Sequence, residues 1–295
     1  MTWIILTIGA QVIFAVVALV DRFMVSTPAI NKPVVYAFYN NILLLIVVGL
    51  LPFGVVLKPT PKVLELSLLA GVAWAFSIFF LYRALKISEA SDVSPVFAAV
   101  SAVAAFGLSF IFSLGWLAGN FLAGFILLII GTLLMSYLRF TGKSLLYVCF
   151  GGCLYAFFSI FLKEIFNQTT FWNGLFWVGL GGAVGALLFL LVPSNRADIR
   201  GNFKQSSTGV KTAVVLNKVM AGFASIFIIY AIKLGNVSVV NALSGVQFIF
   251  LLLFALIFSR KLPEYFRETT RGRAVPQKII ATAIIIAGLA FLFVS

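Results

Sequence analysis

Residues 93–138 read VSPVFAAVSAVAAFGLSFIFSLGWLAGNFLAGFILLIIGTLLMSYL and contain no charged side chain. A helix crosses the hydrocarbon core of a bilayer with about 20 mostly apolar residues, so this stretch is too long for one crossing. Turn-forming residues interrupt it at Ser113-Leu114-Gly115 and at Gly119-Asn120. Backbone polar groups inside a bilayer must bond within their own segment, so the stretch predicts two consecutive transmembrane helices.

Apolar segments of similar length fill almost all of the remaining chain. Charged residues make up 10% of the sequence, against about a quarter in a soluble domain. The polar stretches 193–211 and 260–278 are predicted as loops. The sequence therefore predicts an all-α integral membrane protein with ten transmembrane helices, of which the other eight cover about 3–20, 34–51, 63–85, 144–162, 171–192, 212–232, 237–259 and 279–295.

The net charge of +13 does not indicate a nucleic-acid partner, because membrane proteins collect Lys and Arg in cytoplasmic loops. Loops after odd-numbered helices hold 16 of the 21 Lys and Arg residues. The positive-inside rule then predicts that these loops are cytoplasmic and both termini are outside. The chain has no histidine, and its cysteines, Cys149 and Cys153, have no acid nearby, so neither a metal nor a cofactor is expected.

The second half of the sequence resembles the first. Residues 84–91 (ALKISEAS) end the third predicted helix, and residues 231–238 (AIKLGNVS) end the eighth. Gly124 and Gly131 in the fifth helix match Ala281 and Gly288 in the tenth, with the same spacing of seven. Since each half has five helices, the repeats 1–140 and 141–295 are expected to insert with opposite orientation, a design that places substrate near the midplane between them.

These repeated elements resemble the drug/metabolite transporter superfamily, specifically its EamA-type ten-helix exporters, over nearly the whole chain. Two positions depart from that pattern. The family often has Gly-Glu between the fourth and fifth helices of each half, where this chain has Leu114-Gly115-Trp116 and Ser259-Arg260-Lys261. Small multidrug members carry a carboxylate in the middle of helix 1, where this chain has Gln11. Both departures weaken the case for proton-coupled drug efflux.

Lys218 is the charged residue that the sequence places deepest, about seven residues into the eighth predicted helix and beside Asn217. A charge inside a span costs several kcal/mol, roughly 2.5 or more, and is a functional candidate. It is predicted to contact a substrate carboxylate or phosphate; the alternatives are snorkelling to the interface or pairing with another residue. Lys86, Lys233, Arg22 and Lys163 fall at helix ends, where they are predicted to bond free carbonyls.

Uncharged polar side chains recur at helical spacing and are expected to face the bundle, because exposing them to lipid would be costly. The alternative is interhelical hydrogen bonding, worth about 0.6 kcal/mol each. Small residues in the fourth and seventh helices, including Gly181 and Gly185, predict close packing. With Lys218, the polar candidates for substrate contact are Gln11, Tyr36, Asn40, Trp74, Tyr155, Asn241 and Gln247.

The sequence favours a secondary transporter or facilitator in the cell membrane, a monomer or homodimer in the lipid bilayer, exporting a small-molecule substrate such as an amino acid, nucleoside or amine. The alternatives are a lipid scramblase or structural membrane protein and, less favoured, a membrane lipid enzyme. An enzyme is not expected, because the chain has eight carboxylates, no histidine and no paired Asp motif. Proton coupling is not expected either, unless a helix break places Asp21 or Asp92 beside the cavity.

Overall fold

The computed structural model describes residues 1–26, 32–88, 90–112, 119–136, 141–205, 208–258 and 274–293, and the regular structure within them is helical. Two 3₁₀ segments, Leu43–Phe53 and Leu243–Gly245, continue helices rather than stand alone. The α-helices are α1 (Thr2–Ser26), α2 (Pro33–Ile42), α3 (Pro61–Ile87), α4 (Ala90–Ile111), α5 (Asn120–Leu134), α6 (Gly142–Gln168), α7 (Phe171–Phe189), α8 (Pro193–Gln205), α9 (Thr208–Leu234), α10 (Val237–Ala242), α11 (Val246–Phe258) and α12 (Ala274–Phe293).

The protein is a multi-pass helical membrane protein embedded in a lipid bilayer. Among the described residues, nine helical stretches are long and apolar enough to cross a membrane, and Phe121–Leu134 is a shorter apolar helix. The predicted break in the long uncharged run is confirmed, because α4 ends at Ile111 and α5 begins at Asn120. The predicted turn residues Ser113-Leu114-Gly115 lie outside the described residues.

The predicted loop 193–211 is wrong over most of its length, because residues 193–205 form α8 and α9 begins at Thr208. Polarity had indicated a loop, but a polar helix can lie on a surface with one side packed. Ile199 is buried against α2, and the Tyr39 hydroxyl donates to the Ile199 carbonyl at 3.2 Å. Lys32, just before α2, forms an ion pair with Asp198. In the second predicted loop, residues 274–278 belong to α12 and 259–273 lie outside the description.

Helices α3 and α7 meet backbone to backbone. A Cβ atom added at Gly71 of α3 would overlap the backbone of Gly181 and Gly182 of α7. One turn further along, a Cβ at Gly185 would lie 2.6 Å from the Ala75 Cβ atom. The predicted packing role of Gly181 and Gly185 is therefore confirmed, since small residues allow helix backbones to approach this closely.

The small residues that match between the halves of the sequence lie on the contacting faces of α5 and α12, in crossed pairs. A Cβ at Gly124 of α5 would lie 2.9 Å from the Gly288 carbonyl of α12, and one at Gly131 would lie 3.0 Å from the Ala281 carbonyl. Position 124 thus meets 288 while 131 meets 281, so α5 and α12 run antiparallel. The other extensive contacts between helices are those of α3 with α6, of α1 with α9, and of α4 with α6 and α10.

Candidate functional site

Trp74 of α3 and Tyr155 of α6 lie at the centre of a group of aromatic rings. Their ring centroids are 5.8 Å apart, and Trp74 is 4.9 Å from Phe158. Tyr155 also lies 5.9 Å from Phe97 of α4. Helix α6 packs between α3 and α4, so three helices contribute rings to one place. The structure therefore brings together two residues that the sequence had predicted separately.

A polar group adjoins these rings one turn further along the same face of α6. The Ser159 hydroxyl lies 3.0 Å from the Tyr155 carbonyl and 3.3 Å from Oδ1 of Asn241, which is on α10. Asn241 and Ser159 are both buried. Trp74, Phe97, Tyr155, Phe158, Ser159 and Asn241 are called the central layer below.

Two hydrogen-bond donors in the central layer have no protein acceptor. Within the described chain, Nε1 of Trp74 and Nδ2 of Asn241 are buried and lack any hydrogen-bond partner. A buried donor left unpaired costs about 1–3 kcal/mol. The layer would recover that cost by binding a molecule that presents acceptors to both groups.

Gln11 supplies an unpaired acceptor on the neighbouring helix α1. The residue is 3% exposed, and its Oε1 atom has no partner in the part of the chain that is described. Ala10 and Phe14 belong to the same large apolar cluster as Trp74 and Tyr155, and α1 contacts the 3₁₀ segment Leu243–Gly245 that follows Asn241. Gln11 is thus a third buried polar group with an unpaired atom, on a helix that packs near Asn241.

Asn41 is a buried polar residue that the sequence analysis missed. The prediction had taken Asn40 from its spacing to Tyr36, but Asn40 is only partly buried and Asn41 is fully buried. Asn41 donates to the Ala37 carbonyl at 2.8 Å, and its Oδ1 has no partner among the described residues. The adjacent asparagines Asn40 and Asn41 indicated a polar position in this helix. Asn41 lies four residues after the buried Ala37, and that spacing would have identified it as the buried member of the pair.

Lys218 and Tyr36 form a second group, separate from the central layer. The Lys218 ammonium lies 4.4 Å from the centroid of the Tyr36 ring, and that ring is 4.6 Å from the Tyr82 ring of α3. Tyr82 follows Trp74 by eight residues, or roughly 12 Å along α3. The predicted contact between Lys218 and a substrate anion stays a prediction, because the observed contact is with an aromatic ring.

Gln247 makes a structural contact, and its predicted contact with substrate stays a prediction. Its side-chain nitrogen donates to the Phe14 carbonyl of α1 at 3.1 Å, which ties α11 to α1. Lys163 confirms the predicted helix-end role, with an unexpected partner. Its ammonium donates at 2.8 Å to the carbonyls of Lys233 and Gly235, at the end of α9 rather than of its own helix.

The middle of the bundle around the central layer carries no charge in the sequence. Along α3, Glu65 and Arg83 each lie nine residues from Trp74, or roughly 13 Å. Along α6, Lys163 lies eight residues from Tyr155, or roughly 12 Å. Residues 237–258, which include Asn241, contain no charged residue. Around Trp74, Tyr155 and Asn241 the candidate site is therefore polar, aromatic and without charge in the sequence, whereas on α4 the nearest charged residue is Asp92, five positions before Phe97.

One carboxylate is more buried than expected. Asp92 in the first turn of α4 is 1% exposed, and the Ser136 hydroxyl donates to it at 2.9 Å. Gln277 of α12 donates to the Ser136 carbonyl at 3.1 Å. Asp92 thus belongs to a junction of α4, α12 and the end of α5, at one end of α4 rather than beside the rings.

Comparison with known proteins identifies the fold without a family. No protein-family model and no curated protein sequence matches this chain. Among solved structures, 24 chains match. One crystal structure superposes with a TM-score of 0.64 over 98% of this chain and 96% of that chain, at 17% sequence identity. At that identity the likeness establishes a shared helical fold and nothing about activity.

Proposed function

We propose that this protein is a secondary transporter that moves a small organic metabolite across the cell membrane by alternating access. The observation that carries the proposal is the central layer, in which donors from α3 and α10 are buried beside aromatic rings and have no protein partner. Unsatisfied polar groups are costly inside a membrane bundle and mark substrate pathways there. The resemblance to EamA-type exporters supports the outward direction of transport.

The contacts between helices support an inverted repeat of residues 1–140 and 141–295. In such a repeat α1 corresponds to α6, α3 to α9 and α5 to α12. The pair α3–α6 then corresponds to α9–α1, and both pairs pack extensively. Helices α5 and α12 correspond to each other, so an inverted repeat requires them to run antiparallel where they meet. The approach of Gly124 to Gly288 agrees with this requirement. Repeats of this kind form a substrate site between them near the midplane, and Trp74 and Tyr155 are the middle residues of α3 and α6.

Unequal contacts at two corresponding places support alternating access. In the proposed repeat, the contact of α3 with α7 corresponds to that of α9 with α2. The first is a backbone contact through Gly71 and Gly181, whereas α9 reaches α2 through the long side chain of Lys218 over Tyr36. The contact between α3 and α7 is thus tight, whereas the corresponding contact between α9 and α2 is made by one long side chain. A difference of this kind is expected when a carrier is closed on one side of the membrane.

Transport into proteoliposomes tests this function. The purified protein is reconstituted and supplied with radiolabelled nucleosides, amino acids and amines, with empty liposomes as the control. We expect saturable uptake of one class that is inhibited by excess unlabelled solute. Flipping of a labelled lipid without uptake of any solute would contradict the proposal and indicate a scramblase.

A further inference from the structure

We infer that the central layer selects an uncharged, planar heterocycle with hydrogen-bond acceptors on its edge, the chemistry of a nucleobase or nucleoside, over an amino acid or an amine. This inference rests on the proposed transport function and names its substrate class. It follows from three properties of the layer, which are its donors, its lack of charge and its rings.

The donors require acceptors on the ligand. Trp74 Nε1 offers one N–H and can accept nothing, and Asn241 Nδ2 offers two N–H groups. Both are sealed from solvent and have no partner within the described residues. Asn241 Oδ1 lies 3.3 Å from the Ser159 hydroxyl, so the nitrogen is the end of the amide left without a partner. The ring nitrogens and carbonyl oxygens of a nucleobase supply acceptors of the required kind.

Gln11 adds the complementary group. Its unpaired Oε1 is an acceptor, so it suits an N–H on the ligand. A nucleobase edge carries N–H groups and acceptors side by side, whereas an aliphatic hydrocarbon carries neither. The polar groups of α1, α3 and α10 therefore fit a ligand with both functions on one rigid frame.

The lack of charged residues around Trp74, Tyr155 and Asn241 disfavours zwitterions and amines, since the nearest carboxylate on α4, Asp92, is already hydrogen-bonded by Ser136. The nearest charged residues along α3 and α6 are eight or nine positions from Trp74 and Tyr155. Burying an isolated carboxylate or ammonium without a charged partner is strongly unfavourable. An amino acid would bring one of each, and an amine would bring one cation, whereas a neutral heterocycle brings none.

The rings supply a surface for stacking. Trp74, Tyr155 and Phe158 lie within 5.9 Å of one another by ring centroids and are tilted by 40–50° to one another, so they form one aromatic cluster, called the wall here. Every nucleobase has a π-face, and stacking on aromatic side chains binds bases with little preference for which base is present. The wall thus selects planar ligands, and the donors set their orientation.

Binding to the purified full-length protein in detergent tests the inference independently of transport. Radiolabelled adenosine and uridine are compared with phenylalanine and tyramine at equal concentrations. Trp74→Phe keeps a ring and removes the N–H, and Asn241→Leu keeps the approximate size and removes the amide. Trp172→Phe, at an exposed position of α7, is the matched control. We expect nucleoside binding that weakens about tenfold in the first two variants and is unchanged in the control.

The outcomes separate this inference from the proposed function. Uptake of amino acids or amines without competition by nucleosides would overturn the inference and leave transport standing. Nucleoside binding without uptake of any solute would support the site and refute transport. Nucleoside binding that Trp74→Phe and Asn241→Leu leave unchanged would also overturn the inference. Melting temperatures show which variants fold, and a variant that fails to fold is replaced by Trp74→Leu or Asn241→Val, which also lack the donor.

Discussion

The ammonium of Lys218 lies 4.4 Å from the centre of the Tyr36 ring and so links α9 to α2. A cation over an aromatic ring contributes about 0.5–2 kcal/mol, depending on how far it is removed from water. Lys218 is only partly buried, so a contribution near the lower end is expected. In the proposed repeat, this contact between α9 and α2 corresponds to the close backbone contact between α3 and α7.

Lys218→Met should change transport more than stability. The substitution keeps a long apolar side chain and removes the charge, so the bridge between α9 and α2 is lost while packing is kept. We expect a several-fold lower uptake rate with a melting temperature within a few degrees of wild type. Lys233→Met is the control, because Lys233 lies 5.9 Å from the Phe171 ring at the end of the same helix. If Lys218→Met raised the melting temperature and left the uptake rate unchanged, Lys218 would lower stability and have no part in transport.

Gly71→Ala should destabilise the protein and reduce uptake. The new methyl group would overlap the backbone of Gly181, so α3 and α7 would have to separate. Overpacking of this kind costs about 1–3 kcal/mol. The control is Gly107→Ala in α4, where nothing lies within 4 Å of the added Cβ atom. Thermal unfolding of both variants in detergent checks the prediction, which equal melting temperatures would contradict.

Lys163→Met should also lower the melting temperature. Without the ammonium, the carbonyls of Lys233 and Gly235 lose a charged donor at 2.8 Å. Hydrogen bonds to charged groups contribute about 1.5–3 kcal/mol each, and the loss leaves two acceptors poorly paired. Lys62→Met is the control, because the exposed pair of Lys62 with Glu164 is expected to add about 0–1 kcal/mol. A larger effect at Lys62 than at Lys163 would refute this account.

Membrane orientation can be decided with two single cysteines. Arg200 of α8 and Lys58 before α3 are both exposed, and the charge distribution predicts that Arg200 is cytoplasmic and Lys58 is outside. In a chain with Cys149 and Cys153 replaced by alanine, an impermeant thiol reagent added to intact cells should label Lys58→Cys and spare Arg200→Cys. The reverse pattern would invert the assignment. Lys58 is preferable to Thr60, whose hydroxyl caps α3 by accepting from the Val63 N–H at 3.3 Å.

Transport should not be coupled to protons. A proton-coupled carrier needs a titratable group that alternately meets the two sides, whereas Asp92 is buried and held by Ser136 where α4 meets α5 and α12. Uptake at zero membrane potential should reach the same level with and without an imposed pH gradient. Accumulation that collapses with the gradient and disappears in Asp92→Asn would show that this carboxylate drives transport.

The sequence predicted the parts of the fold that depend on hydrophobic length. The helices containing Trp74, Tyr155 and Asn241 were located because a bilayer demands long apolar segments whatever their neighbours are. Helix α8 was missed because its state depends on packing of Ile199 against α2, which is a contact between distant segments. The same limit applies to Lys163, whose position at a helix end was visible but whose acceptors on α9 were not.

The site was predictable in its residue types and not in its arrangement. Helical spacing found Gln11, Trp74 and Asn241, but it cannot tell which polar atoms find partners in neighbouring helices. Gln247 is used in a contact with Phe14, whereas Asn241 keeps an unpaired nitrogen. The prediction named Asn40, whereas the buried residue is its neighbour Asn41. Asn41 lies just before α2 continues into the 3₁₀ segment at Leu43.

Helix α8 has a mechanical consequence. It is bound to the start of α2 through Asp198 and Ile199, and it is bound to the end of α7 because Asn195 donates to the Phe189 carbonyl at 3.0 Å. Beyond α8, the segment that follows α2 also packs on α7, where Val47 meets Gly179. Helices α2 and α7 are therefore held together by α8 and by the 3₁₀ segment that follows α2. We therefore expect α2 and α7 to move as one unit when the carrier changes between its two states.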